Sequence, residues 1–462
     1  MEGADTVSEP IIIGPTWQRD AAGAFVLPER TLGWEILGWS AEYLTLPDGP
    51  DAGSPWSFTD EQARFLLWWY AVDENGRFLY RRGVLRRMKG WGKDPFAAAI
   101  AAIELCGPCR FGGWLPDGSP VGVQHPAPWI QTAAVSKDQT RNTMILFPGL
   151  FSPAAVDDYR LDPGKELIYA RGSSNCRIEA VTSSPRSLEG NRSTLVIANE
   201  THHWLTNNEG HEMMRAISRN LAKSRDGSGR ALAITNAHAP GEDSVAEHDW
   251  DAYQLIASSR SRATRFLYDS IEAPPVTDLT DEDSLRAGLI AARGDSTWLD
   301  VDRLIEEIYD PTTPPSMSRR FYLNQITAAE SSWAAPHEWD ACAQEGAELE
   351  DGDDIVAFFD GSKSDDATAL VACRMSDGLV SVLGVWEKPQ RALDWLAPRD
   401  QVDATIDRMF DRYKVLAFFA DPGAGQDDSG ERYWDGYIDG WGNRYGKKLV
   451  VQAAPSARQP HA

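Results

Sequence analysis

Residues Arg87 to Asp94 read Arg-Met-Lys-Gly-Trp-Gly-Lys-Asp and join two apolar stretches of different character. Val84 to Arg86 suits a short strand, and Pro95 to Leu105, rich in Ala, Ile and Leu, suits a helix. A strand that passes into a helix through a glycine loop is the frame of a phosphate-binding site. Backbone N–H groups of the loop wrap a polyphosphate, the helix N-terminus faces the anion, and a lysine reaches the outer phosphates. Lys89, Gly90, Trp91, Gly92 and Lys93 supply such a loop here, with two departures. Arg87 stands where the first glycine is usual, and Asp94 stands where a Ser or Thr hydroxyl would bind Mg²⁺.

The same alternation continues along the chain. Phe58 to Tyr70 reads as a helix with Thr59 as N-cap and Gln62, Phe65, Leu66 and Trp69 on one face. Strands are expected at Gly83–Arg86, Trp129–Ala134, Arg177–Val181, Ser193–Ala198 and Arg230–Thr235, with helices at Pro95–Leu105, Lys137–Phe147 and Glu212–Lys223. Helix-separated apolar strands imply an α/β fold with a parallel sheet covered on both faces. Residues 1–55, rich in Gly, Pro and Trp, read as an arm, and 56–270 as the first α/β domain. Residues 271–350 carry acidic and proline-rich pieces (Glu272–Asp283, Asp310–Pro315) around a helix at Asp300–Ile308, and read as a helical lid or linker. A second alternating domain, 351–462, opens with strands at Asp354–Asp360, Ala367–Met375 and Leu379–Glu387, then a helix at Asp400–Tyr413 and a strand at Val415–Ala420.

The 462 residues suffice for two or three cored domains. A net charge of −24 argues against nonspecific nucleic-acid affinity over the whole surface, but leaves room for a local basic channel. No apolar run approaches a membrane span and the N-terminus is acidic and polar, so a cytoplasmic protein without membrane association is expected. Five thinly spread cysteines fit a reducing compartment. Cys106-Gly107-Pro108-Cys109 copies a redox dithiol, yet it follows a helix instead of opening one and has no further metal ligands nearby, so it reads as structural.

Leu195 to Asn199 is an apolar stretch that runs into Glu200. A strand ending in Asp-Glu forms the second half of a nucleotide-hydrolysing site, the Asp in the Mg²⁺ shell and the Glu activating water. Glu200 fits; Asn199 keeps an oxygen acceptor and loses the charge. The next strand ends in Thr235-Asn236, where a polar pair would sense the γ-phosphate. Gln62 would read the adenine edge or serve as an ordinary surface glutamine. Asp360 and Asp421 each end an apolar strand, and Asp365-Asp366 follow the first. Such carboxylates clamp two divalent ions about 4 Å apart for in-line phosphodiester cleavage. The alternative is two strands stopped by acidic turns such as Asp421-Pro422-Gly423.

In this order, the Gln62 helix, Arg87–Asp94, Trp129–Gln139, Asn199-Glu200, Thr235-Asn236, Arg319–Gln325, and Asp360 with Asp366 and Asp421 resemble the large terminase subunit of tailed bacteriophages. The resemblance implies an N-terminal P-loop ATPase of the ASCE type, a helical linker and a C-terminal RNase H-like nuclease. It implies ATP and Mg²⁺ as cofactors, with Mn²⁺ as an alternative at the nuclease. Its implied partners are double-stranded DNA, a small terminase subunit and a portal ring. The subunits would form a homo-oligomeric ring on the procapsid, in the cytoplasm of the infected bacterial host, with a basic residue of a neighbour completing the ATP site. Carried across, Lys93 binds phosphates, Glu200 is the catalytic carboxylate, and Lys89 or Arg87 is the basic residue kept inside the loop. Asn236 couples hydrolysis to movement. Asp360 and Asp421 hold the nuclease metals, with Asp366 assisting.

Three departures from that pattern stand out: Asp94, Asn199, and an end at Ala462 before a further metal-binding acid, so that an incomplete nuclease is expected. The first two suggest that the acid lost at position 199 has moved to position 94. The rival reading makes Asp94, before Pro95, the N-cap of its helix. Two other functions stay open. One is a P-loop helicase or translocase whose C-terminal domain binds nucleic acid without cutting it, the other a catalytically impaired scaffold.

Overall fold

The computed structural model describes residues 9–164, 166–182, 190–224, 227–261, 265–327, 342–344, 346–364, 366–389, 395–423, 425 and 432–450. The chain divides into two compact units, one running to residue 341 and the other from residue 342.

In chain order the first unit contains strands β1 (Ile11–Ile13), β2 (Arg82–Arg86), β3 (Arg110–Trp114), β4 (Pro120–Val123), β5 (Trp129–Ala134), β6 (Asp162–Pro163), β7 (Leu167–Ala170), β8 (Ser173–Thr182), β9 (Leu195–Asn199), β10 (Arg230–Thr235) and β11 (Phe266–Glu272). Nine of them form one sheet in the order β1-β11-β2-β10-β9-β5-β8-β7-β6, while β3 and β4 pair as a separate ribbon. From β11 through β8 every neighbouring pair is parallel; antiparallel β1 and β7 flank that parallel centre.

Both faces are covered, as the apolar strands require. β9 and β10 are buried at every position. Leu85, Ile197, Leu232 and Ile234 pack with the Lys93–Cys106 helix on one side. Val84, Val196, Ala198 and Ala233 pack with Met213, Ala216 and Ile217 of the Gly210–Leu221 helix on the other. The arm enters this sheet through β1. Leu285, Leu289, Ile305 and Ile308, from the helices Glu282–Arg293 and Val301–Tyr309, join the same core as the Lys93–Cys106 helix. Cys106 and Cys109 are buried free thiols, and burial pushes the Cys109 thiol up to about 12, which suits packing and not redox chemistry.

The second unit holds a four-stranded sheet of β12 (Asp354–Asp360), β13 (Thr368–Arg374), β14 (Val380–Trp386) and β15 (Lys414–Asp421), in the order β14-β13-β12-β15. β12 is antiparallel to β13 and parallel to β15. Ile355, Ala357, Phe359 and Leu370 pack against Val402, Ile406, Met409 and Trp441 of the helices Arg399–Arg412 and Asp435–Tyr445. The α/β class expected from the strand–helix alternation is therefore what both units show. Among the described residues, no helix is long and apolar enough to cross a membrane.

Candidate functional site

β10 lies between β2 and β9, with Thr235 opposite Arg86 and Ile234 opposite Asn199. The loop after β2, Glu200 after β9 and Asn236 after β10 therefore leave the sheet side by side at its carboxyl edge, where open parallel sheets bind ligands. A cleft of ≈ 440 Å³ opens there. Lys89, Gly90, Gly92, Lys93, Asp94, Glu200 and Asn236 line it, together with His202, His203 and Phe321.

The loop depends on its two glycines. Gly90 and Gly92 have φ of +87° and +93°, a region that a side chain strains. A Cβ on Gly90 would also sit 2.6 Å from Leu299 Cδ2. Outside the loop, the Trp298 indole donates to the Gly90 carbonyl at 3.0 Å and Lys89 N donates to Phe321 O at 2.7 Å. Gly92 is the N-cap, so the helix starts at Lys93, two residues before the expected Pro95. The N-cap reading of Asp94 is thereby overturned: Asp94 lies inside the first turn.

Lys93 is buried, and its Nζ donates to the carbonyls of Met88 at 3.0 Å and Arg87 at 3.3 Å. Burial lowers its pKa, while Glu200 and Asp94 pull it back up. Asp94 faces Asn199. Its Oδ1 accepts from Asn199 Nδ2 at 2.8 Å and from the Thr143 hydroxyl at 3.4 Å. The amide orientation follows from the partner, since an ionised carboxylate can only accept. Asn199 Oδ1 is left buried with no hydrogen-bond partner among the described residues. An aspartate at position 199 would put a second negative charge at this contact, which at about 4 Å costs on the order of 4 kcal/mol at an effective dielectric of 20. The amide removes that repulsion and still presents an oxygen.

Glu200 adopts φ +54°, strained for a non-glycine residue, and its N–H donates to Ile234 O at 2.8 Å. Burial raises its carboxyl pKa; Lys93 opposes the rise and Asp94 adds to it. Its Oε2 lies 3.1 Å from His202 Nδ1. The Thr235 hydroxyl donates to Asn236 O, so at 3.0 Å from His202 Nδ1 it acts as acceptor and places the imidazole proton on Nδ1. Burial holds His202 well below its ordinary pKa, hence neutral. Asn236 Nδ2 donates to Arg87 O at 2.8 Å, which ties the end of β10 to the phosphate-type loop.

Three expected binding side chains are used elsewhere. The Arg87 guanidinium is fully buried, donating to Glu61 Oε1 at 2.6 Å and to Asp269 Oδ1, so Lys89 is the exposed basic side chain of the loop. Trp91 packs its ring edge-on against Phe96 in the core. Gln62 closes a capping box with Thr59 and lies outside the cleft lining. The Arg87 cluster yields a first prediction. Arg87→Ala strands two buried carboxylates and should lower the free energy of unfolding by about 3–5 kcal/mol in urea titration.

In the second unit, Asp360 and Asp421 are register partners on adjacent parallel strands. Burial, then Asp421, then Asp366, raise the Asp360 carboxyl pKa, so the three acids share one field. Asp421 Oδ1 accepts from Gly423 N, as an acidic turn would. Asp365 lies outside the described residues. Among the described residues these aspartates do not bring three ligand atoms within 4.8 Å of one another.

His202 and His203 were not expected at the site; a pair of histidines one residue beyond Glu200 was the available signal.

No protein-family model matches the chain. The crystal structure of the HK97 bacteriophage large terminase is similar over 91% of this chain and 79% of that one, at 17% identity and a TM-score of 0.48. The large terminase ATPase domain of Thermus phage P74-26 aligns with 35% of this chain and 61% of its own, at 13% identity and a TM-score of 0.24. The Gene 13 protein of Mycobacterium phage L5 is 44% identical over 97% of this chain and 81% of its own length. That of Mycobacterium phage D29 is 43% identical over the same shares. The chain belongs to the family of these mycobacteriophage gene 13 proteins.

Proposed function

We propose that this chain is the large terminase subunit of a tailed phage, an ATP-hydrolysing motor that moves double-stranded DNA into a procapsid. The observation that carries the reading is the meeting of Lys93, Asp94 and Glu200 in one cleft at the carboxyl edge of a parallel sheet, with Asn199 bonded to Asp94 behind them. In it, Lys93 Nζ moves from the Arg87 and Met88 carbonyls to the outer phosphates of ATP. Glu200, a carboxylate of raised basicity, takes the proton of the attacking water. Neutral His202, its Nδ1–H held by the Thr235 hydroxyl, packs beside that carboxylate without adding a charge. Asn236, bonded to the loop, reports the presence of the γ-phosphate to β10.

The donors at positions 94 and 199 fit Mg²⁺: both are oxygens, and Asn199 Oδ1 is buried without a hydrogen-bond partner among the described residues. Held there, Mg²⁺ would supply neutralising charge to the phosphates. Lys89 is the basic side chain kept inside the loop, and a basic residue of a neighbouring ring subunit completes the site. In the second unit, Asp360 and Asp421, with Asp366, would hold Mg²⁺ or Mn²⁺ for cutting the DNA concatemer. Small terminase subunit and portal ring are the proposed partners.

The turn at Asp421, whose Oδ1 accepts from Gly423 N, favours a second reading, a translocase whose C-terminal unit binds DNA without cutting. Plasmid nicking decides between the two. Cleavage that needs Mg²⁺ or Mn²⁺ and disappears in Asp360→Asn supports the nuclease, while no cleavage with either metal supports the second reading. Absence of Mg²⁺-dependent ATP turnover, with and without DNA, would leave only an inactive scaffold.

A further inference from the structure

Away from the nucleotide cleft, three side chains from separate elements converge. His211 lies in the first turn of the Gly210–Leu221 helix, His248 in the first turn of the Val245–Ala257 helix, and Asp243 in the loop that leads from β10 into the latter. His248 Nε2 is 2.6 Å from Asp243 Oδ1, and His211 Nε2 is 2.6 Å from the Asp243 carbonyl oxygen and 3.5 Å from Asp243 Oδ2. The two imidazole centroids are 4.6 Å apart. Among the described residues this is the one group whose three ligand atoms all lie within 4.8 Å of one another.

The backbone is arranged to hold the carboxylate there. Asp243 has φ +54°, a strained conformation for a non-glycine residue. Glu247 fixes it, accepting from Asp243 N at 2.8 Å and Gly241 N at 2.6 Å, and the Thr206 hydroxyl donates to Asp243 Oδ2 at 2.9 Å.

We propose that His211, Asp243 and His248 bind one divalent transition-metal ion of the Zn²⁺ type. Two imidazoles and a carboxylate are a donor set for such ions, and water completes the shell. Ligands about 2.0–2.2 Å from a tetrahedral ion lie about 3.3–3.6 Å from one another; the His211–Asp243 separation of 3.5 Å already matches, and the His248–Asp243 separation of 2.6 Å has to open. Small side-chain rotations close the shell. The bound ion would clamp the loop that follows Thr235 and Asn236 onto the start of the neighbouring helix. Its binding requires neither nucleotide nor DNA, so it stands or falls apart from the motor reading.

The test uses Co²⁺ as a visible probe on the full chain. The expected result is one Co²⁺ per chain with the absorption of a nitrogen and oxygen tetrahedral site, displaced by Zn²⁺ and not by Mg²⁺. His211→Ala and His248→Ala should each weaken binding at least about tenfold. Circular dichroism checks the fold of each variant, and Zn²⁺ should raise the melting temperature of the parent chain but not of the double variant. Thiolate charge-transfer bands, or binding by the parent no tighter than by the double variant, overturn the proposal.

Discussion

A chain carrying Glu200→Gln is expected to keep Mg²⁺-dependent ATP binding and to hydrolyse ATP about 10²–10⁴-fold more slowly. The amide preserves size, but it cannot take a proton from water. The same variant carries a stability signature. Burial raises the folded-state pKa of Glu200, so the folded chain binds that proton more tightly than the unfolded chain. The contribution of this group to stability is then fully present below the ordinary carboxylate pKa and is lost as pH rises through the raised value. At neutral pH the ionised carboxylate is the destabilising form, and glutamine removes it. Glu200→Gln should therefore melt at the same temperature as the parent or higher at pH 7, with the difference shrinking as pH falls into the ordinary carboxylate range. A variant that loses both turnover and several degrees of melting temperature would point to a structural role.

The second large effect concerns the 94–199 pair. Asp94→Ser alone leaves no carboxylate for Mg²⁺, and Asn199→Asp alone sets two carboxylates against each other at the present 2.8 Å contact. Each single change should lower ATPase rate and weaken the Mg²⁺ dependence of nucleotide binding. Together they restore one carboxylate at position 199 and a hydroxyl at position 94. The double variant should recover activity beyond the sum of the single effects by a coupling of about 1–3 kcal/mol, or about 5–150-fold. If Asp94→Ser is no more harmful with Asn199 than when position 199 carries Asp, the carboxylate has not been relocated.

Much of this site was legible because its signals are local. A strand, two glycines and a lysine before a helix, or an apolar run ending at Glu200, can be read without knowing the neighbours. The order of β2, β10 and β9 then brings those ends together. What escaped depends on distant partners. Arg87 looked like a phosphate ligand until Glu61 and Asp269, from a helix and a strand remote in sequence, were found to bury it. Gln62 was a different omission: Thr59 three residues ahead already spelled a capping box, a local alternative to base reading. The start of the Lys93–Cys106 helix was placed late because Pro95 and Asp94 are such good starting residues. Gly92 in a left-handed conformation begins it earlier. The two substitutions suggested a carboxylate moved from position 199 to 94, whereas the bond between Asp94 and Asn199, and the contact of both with Thr143 on another helix, had no local signature.

Equilibrium binding of a non-hydrolysable ATP analogue tests the central claim most directly, since it does not require an assembled ring. The parent chain should bind the analogue with Mg²⁺ and lose most of that affinity with EDTA, and Lys93→Ala should abolish it without unfolding the chain. Binding that ignores both Mg²⁺ and Lys93, or no binding at all, would contradict the assignment of this cleft to ATP.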